Sequence, residues 1–326
     1  MDAKAGTGVP DRSRRRAMLL RILGIVIAVT AIALCVNALV SQWSEVSAAL
    51  RTADLRWIGA GVLCAAAGMC FLALLWHQCL RVFGAPTPLG RTTGWYFAGE
   101  LGKYLPGGIW PVVGRGELAH RGGVSRPMAY TTTLISLGLM CVGSAVACVS
   151  FLPFLSGDGL RLGWELLVLL VLPIGVLLVH PAVLGRALRL VDRLSKGRVV
   201  VTAPKWGPMI GLIGVATPAW LLVGISASMV TRGLGFEHQP AQVAFAAVSA
   251  WILGLLVVPV PAGAGVREFM FLLLSGLAGG PAVAVAAVSR LAYVLIDAIF
   301  GITSVVVLKL ATPAPSIDRS VVVADE

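Results

Sequence analysis

Apolar residues gather in long runs along this chain, separated by short segments rich in Arg, Gly and Pro. The runs cover 18–40, 57–80, 127–155, 163–179, 208–230, 241–258 and 281–310. A helix of about 20 apolar residues crosses the hydrocarbon core of a bilayer. Within lipid each backbone polar group needs a partner inside the protein, so such runs predict helices. The pattern therefore predicts an all-α, polytopic integral membrane helical bundle. A single transmembrane domain is expected over 18–310, with a first half at 18–180, a basic amphipathic linker at 181–206 and a second half at 207–310. A basic tail at 1–17 precedes it and a polar tail at 311–326 follows. The run at 18–40 exceeds a typical signal-peptide core and shows no small-residue cleavage site, so it reads as an uncleaved first helix. The connection at 41–56 carries balanced charge and reads as a short external loop.

Two segments interrupt the pattern. The first, WYFAGELGKYLPGGIWPVVGRGELAHRGGVSR at 95–126, holds Glu100, Lys103, Arg115 and Glu117, and Pro106, Gly107 and Gly108 break it. The second, PVPAGAGVRE at 259–268, is broken at Pro261, Gly263 and Gly265 and ends on Arg267 and Glu268. Charges are costly in hydrocarbon, and Pro and Gly disrupt the helical ladder. Two readings compete for the first segment. It is either a re-entrant or kinked element lining a polar site, or a long cytoplasmic loop with solvated charges. A Pro/Gly break followed by Arg and Glu in each half, though differently spaced, points to an inverted-repeat transporter site. A broken helix exposes N–H groups and a positive dipole end, and Arg adds charge-assisted donors, a combination that suits a phosphodiester. The competing view is that Arg115 with Glu117, and Arg267 with Glu268, neutralise one another. Adjacent residues on a helix point apart, so partners elsewhere are expected, with pairing across the two halves.

The last run adds a polar stripe. Arg290, Tyr293 and Asp297 share one helical face, and intramembrane Arg and Asp mark candidate substrate-binding residues. A structural Arg290–Asp297 pair is the alternative. Glu100, Lys103 and Tyr104 form a comparable face in the first half. In the linker, Arg186, Arg189, Arg193 and Lys196 oppose Leu184, Leu188, Val191 and Leu194, the pattern of an interfacial amphipathic helix.

Composition narrows the picture. The chain has 326 residues, 58% hydrophobic and only 13% charged, against about 25% charged in soluble domains. The net charge of +11 sits in connecting segments, which fits a positive-inside bias and anionic lipid rather than nucleic acid. The six cysteines and four histidines make no metal-ligand spacing, so neither a metal nor a cofactor is expected. Placing the basic segments inside puts the N-terminus, and with a second hairpin entering from outside also the C-terminus, in the cytoplasm.

These motifs resemble the membrane region of the lysylphosphatidylglycerol synthase/flippase family. The resemblance is carried by GELGKYLPGGIW with Arg115, by RGGVSR, and by PAGAGVREFMF. It implies a protein of the bacterial cytoplasmic membrane that moves a lipid between leaflets, without the relatives' soluble synthase domain. It also implies membrane phospholipids as partners, and allows a homodimer and an envelope-lipid synthase. Relatives often carry a carboxylate in the span after the Gly-Val, where this chain has Thr131, Thr132, Thr133 and Ser136. That departure implies a different headgroup. The leading expectation is a flippase-like transporter, not an enzyme, for a phospholipid or lipid-linked envelope precursor. Its alternatives are a membrane enzyme acting on a lipid-linked substrate, and a non-catalytic partner of an envelope-lipid synthase.

Overall fold

A computed structural model describes residues 43–105, 108–155, 172–177, 180–194, 201–202, 204–256 and 265–311. The described helices are α1 (Trp43–Arg51), α2 (Leu55–Val82), α3 (Leu89–Glu100), α4 (Trp110–Arg121), α5 (Arg126–Phe151), α6 (Pro181–Leu194), α7 (Trp206–Gly233), α8 (Pro240–Leu256), α9 (Val266–Leu274) and α10 (Gly279–Ala311). Short 3-10 turns follow α3 at Leu101–Tyr104 and α5 at Leu152–Phe154. No strand occurs among the described residues. Among the described residues four helices are long and apolar enough to cross a membrane, at Leu55–Val82, Arg126–Phe154, Trp206–Gly233 and Gly279–Leu310. They match the expected runs to within a few residues. The run expected at 18–40, the tail at 1–17, the tail beyond 311, most of the run at 163–179, and Pro106, Gly107, Lys196, Pro261 and Gly263 lie outside the described residues.

The connection expected at 41–56 is not simply a loop, because α1 occupies most of it. Its Ala49 is buried in an apolar cluster that includes Ala227, Val230 and Leu234. Good helix formers and that apolar contact outweigh the balanced surface charge.

The bundle is organised on α2 and α7. They run antiparallel, in a register that advances seven residues at a time. The Asp54 N–H donates to Gly233 O at 2.8 Å. Further along, Gly61 faces the Ser226 carbonyl and Gly68 faces the Ala219 carbonyl. Small residues at these levels let the two backbones approach, which is how apolar helices associate where lipid supplies no hydrophobic drive.

Two helical hairpins pack against this pair from opposite ends. In the first, α3 runs beside the C-terminal part of α10, with Gly94 against Leu308 and Leu101 against Gly301. The chain breaks after Tyr104, passes through Gly108 at φ +65°, and returns as α4. Gly122, just past α4, lies against the Trp95 ring midway along α3, so the end of α4 and the first turns of α3 lie towards one end of the bundle. In the second, α8 descends from the opposite end and α9 returns. The Gln242 amide donates to Leu274 O at 3.4 Å and clasps the open end of this hairpin. Gly265, at φ +83°, starts α9, a conformation that favours glycine. The first arm of each hairpin packs on the long helix that follows the other hairpin. Thus α3 lies on α10, and α8 lies on α5, where Cys148 Sγ and Ser249 Oγ are 3.5 Å apart.

Basic side chains gather at the end where the first hairpin opens, including Arg81, Arg91, Arg121, Arg126 and Lys309. The linker helix α6 sits there too, joined through the His180 ring, 5.0 Å from that of Trp206. Leu188 is buried while Arg186, Arg189 and Arg193 are exposed, as the amphipathic pattern requires.

A Cβ at Gly68 would stand 2.8 Å from the Ala219 carbonyl oxygen, whereas one at Gly59 meets nothing within 4 Å. Gly68→Leu is expected to lower stability by about 1–3 kcal/mol through overpacking. Gly59→Ala is expected to leave it unchanged. Denaturation in detergent, followed by size-exclusion homogeneity, checks the contrast.

Candidate functional site

The described residues beside the turns of the two hairpins, Lys103 and Tyr104 in the first and Arg267 and Glu268 in the second, gather beside the middle of α10. Asp297 lies near the midpoint of that helix and is only 1% exposed. Its Oδ2 accepts a hydrogen bond from Tyr104 Oη at 2.6 Å and an ion pair from Lys103 Nζ, also at 2.6 Å. Its Oδ1 is buried without a hydrogen-bond partner. Lys103 Nζ lies 3.4 Å from Glu100 Oε2, and the other Glu100 oxygen accepts from Arg115 Nη2. Arg115 is 2% exposed, and its guanidinium stacks 3.9 Å from the Tyr96 ring centre. Lys103 thus joins two carboxylates, one on its own hairpin and one on α10.

The second tip is fastened differently. Glu268 Oε2 accepts the Gly265 N–H at 2.6 Å, and Oε1 accepts Arg290 Nη1. Both carboxylate oxygens are committed, one to the start of α9 and one to α10. Arg267 has no carboxylate within 4.0 Å among the described residues. Its guanidinium lies 4.4 Å from the Trp251 ring centre and 5.8 Å from that of Tyr293. Stacking leaves the in-plane N–H edge of a guanidinium available for an anion.

Lys103, Tyr104, Arg267, Glu268, Arg290 and Asp297 line a cavity of about 80 Å³ between the tips, with Tyr293 beside them. Three of these side chains are cations and two are carboxylates, so the lining carries one positive charge in excess. Trp251, Phe271 and Val223 form its apolar wall. Among the described residues no three His, Cys, Asp or Glu side chains gather to hold a metal ion.

The structure rearranges the pairings expected from sequence. Pairing across the two halves exists, but Lys103 and Tyr104 make it with Asp297 rather than Arg115 or Arg267 with the opposite Glu. Arg115 does not line the cavity; it is spent on Glu100. Glu117 lies outside the site, half-buried, with Arg121 at 3.3 Å and Arg126 at 3.5 Å. The hydrogen bond from Arg121 holds its carboxyl below the usual range. Arg290 and Asp297 do not pair with each other. Seven residues set them about 10 Å apart along α10, and each reaches a different hairpin. Sequence reasoning missed Trp251, an aromatic within an apolar helix that carries no polar signal. It also missed Tyr96, which lies one turn before Glu100 and gave the pattern only a core position.

Residues 21–301 match the family model described as the lysylphosphatidylglycerol synthase TM region. The chain belongs to that family, and with four spanning-length helices among the described residues it is a multi-pass integral membrane protein. A comparison with curated proteins gives no match.

Removing one partner of a buried pair strands the other. Asp297→Ala is expected to cost about 3–5 kcal/mol by leaving Lys103 without its nearest carboxylate. The Lys103→Met/Asp297→Leu double variant is expected to recover most of that loss, because an apolar pair avoids the desolvation. A double-mutant cycle by denaturation in detergent checks it, and additive effects would remove the coupling.

Proposed function

We propose that this member of the lysylphosphatidylglycerol synthase TM-region family is a flippase-like transporter. It moves a phospholipid or lipid-linked envelope precursor between leaflets of the bacterial cytoplasmic membrane. The observation that carries this reading is the position of Arg267. A cation with no carboxylate in reach among the described residues stands where two hairpins from opposite ends meet, midway along a helix of spanning length. A phosphodiester supplies the missing anion, with its oxygens on the guanidinium edge. The free oxygen of Asp297 faces a headgroup donor. Tyr293 and Trp251 fix the plane of Arg267.

Only the headgroup and phosphate need a polar path, while the acyl chains stay in lipid. A cavity of about 80 Å³ is too small for a whole headgroup, so one hairpin has to move to admit it. The two attachments to α10 separate these movements. Breaking the contacts of Lys103 and Tyr104 with Asp297 frees the first tip, and breaking Arg290–Glu268 frees the second. Each hairpin opens towards its own end of the bundle, which gives alternating access without a covalent step. The basic end lies in the cytoplasm under the positive-inside bias, with both termini there. An ion gradient, the membrane potential or the lipid gradient drives movement.

The test reconstitutes the protein in liposomes with fluorescent anionic, zwitterionic and aminoacylated phospholipids and follows transbilayer movement by dithionite quenching. Arg267→Ala is expected to slow movement at least about tenfold, the worth of a charge-assisted hydrogen bond. Glu117→Ala, outside the cavity, is expected to keep the wild-type rate. No movement by the wild type, or equal movement by Arg267→Ala, overturns the reading for the lipids tested.

A further inference from the structure

A second opening lies at the end of the bundle away from the basic cluster, separate from the central cavity. It is a groove of about 720 Å³ between the start of α2, the end of α5, the last turns of α7 and the start of α8. Opposite faces of α7 serve the two places. Val223 and Ala227 line the central cavity, and Leu221, Ile225 and Arg232 line the groove. The groove's walls are apolar, with Phe151, Met229 and Ala244 prominent, and among the described residues no acidic side chain lines it.

Its mouth carries one uncommitted charge. Arg232 is exposed, has no carboxylate within 4.0 Å among the described residues, and stacks 4.0 Å from the Trp57 ring centre. The other polar groups at the mouth are engaged. His238 Nδ1 lies 3.0 Å from Phe236 O, which can only accept, so that nitrogen carries the proton. Nε2 then accepts from the Ser228 hydroxyl at 3.0 Å. The Gln239 amide donates to Phe154 O and ties the end of α5 to the start of α8. Glu237 is exposed nearby and does not line the groove.

The dimensions select an occupant. From Leu221 to Arg232 the groove follows α7 for about 16 Å, from the helical rise. One leaflet's share of the hydrocarbon core is about 15 Å. An Arg on a Trp at the helix end also sits where interfacial headgroups lie. We infer that the groove holds one phospholipid of the leaflet at this end, with its phosphodiester on Arg232 and one acyl chain along α7. Charge complementarity chooses the anionic phosphodiester, and the apolar walls choose the chain. This lipid is a resident one. It does not pass through the central cavity, and its binding does not depend on translocation.

Native mass spectrometry of the protein released from phosphatidylglycerol nanodiscs tests this, with diacylglycerol of the same chains as the probe lacking phosphate. One phosphatidylglycerol is expected to stay bound and diacylglycerol is not. Arg232→Ala is expected to weaken retention about tenfold, in line with one charge-assisted contact. Ile225→Trp, at a half-exposed wall position, is expected to fill the groove and abolish retention. Arg267→Ala is expected to retain the lipid. Retention unchanged in both groove variants overturns the inference. A loss confined to Arg232→Ala removes the groove, and a loss confined to Ile225→Trp removes the phosphate contact. An equal loss in Arg267→Ala places the lipid in the central cavity and overturns the inference as well.

Discussion

Asp297 gathers two donors from the opposite half of the chain onto one buried oxygen. Desolvating such ions costs several kcal/mol each, and pairing returns that only when geometry and neighbouring hydrogen bonds are good. An apolar contact would fill the same space more cheaply. The junction is therefore a poor means of gaining stability and a good means of making a contact with two states. Lys103 already has a second carboxylate, Glu100, within 3.4 Å. When the tip leaves α10 this cation keeps a partner, and the cost of separation falls.

The bundle divides into a stiff part and a movable part on the same physical grounds. Where α2 meets α7, glycines bring backbone against backbone, and a single added carbon forces displacement. Interiors packed at this density do not deform gradually. The hairpins are different. Their arms are short: α4 has 12 residues and α9 has 9. Their tips reach α10 through polar contacts of Lys103, Tyr104 and Glu268, beside apolar contacts such as Leu101 on Gly301. Arg290 and Asp297 sit two turns apart on that one helix, so each hairpin has its own attachment to it.

Much of this was legible in the sequence, because hydrophobic length reports spanning helices directly. The Pro/Gly breaks also marked where helices end and begin, between α3 and α4 and between α8 and α9. Pairing was less legible. Arg115 and Glu117 are neighbours in sequence, but two residues on a helix turn the chain by about 200°. Arg115 faces inward, where the return of the hairpin sets it against Glu100 on α3, and Glu117 faces the basic surface. The stripe of Arg290, Tyr293 and Asp297 was correct as a face. It misled as a pair, since a shared face does not bring residues seven apart within ion-pair reach. Trp251 left no trace, because an aromatic in an apolar helix looks like core until its partner cation is placed beside it.

The remaining constraint is electrostatic. Glu100 offsets Arg115, Asp297 holds Lys103, and Glu268 holds Arg290. Arg267 is left over, stacked on aromatic rings that lower its hydration without neutralising it. A cation in that position is costly unless an anion lies beside it. A phosphodiester brings one negative charge and restores neutrality. Its acyl chains stay in lipid and need no polar surface. A headgroup with an ammonium adds a positive charge and then needs the free oxygen of Asp297 as well. On the proposed reading, a lipid would set its headgroup at Asp297 and its phosphate at Arg267. Because Lys103 already occupies the other oxygen of Asp297, a cationic headgroup competes with the very contact that holds the first hairpin closed.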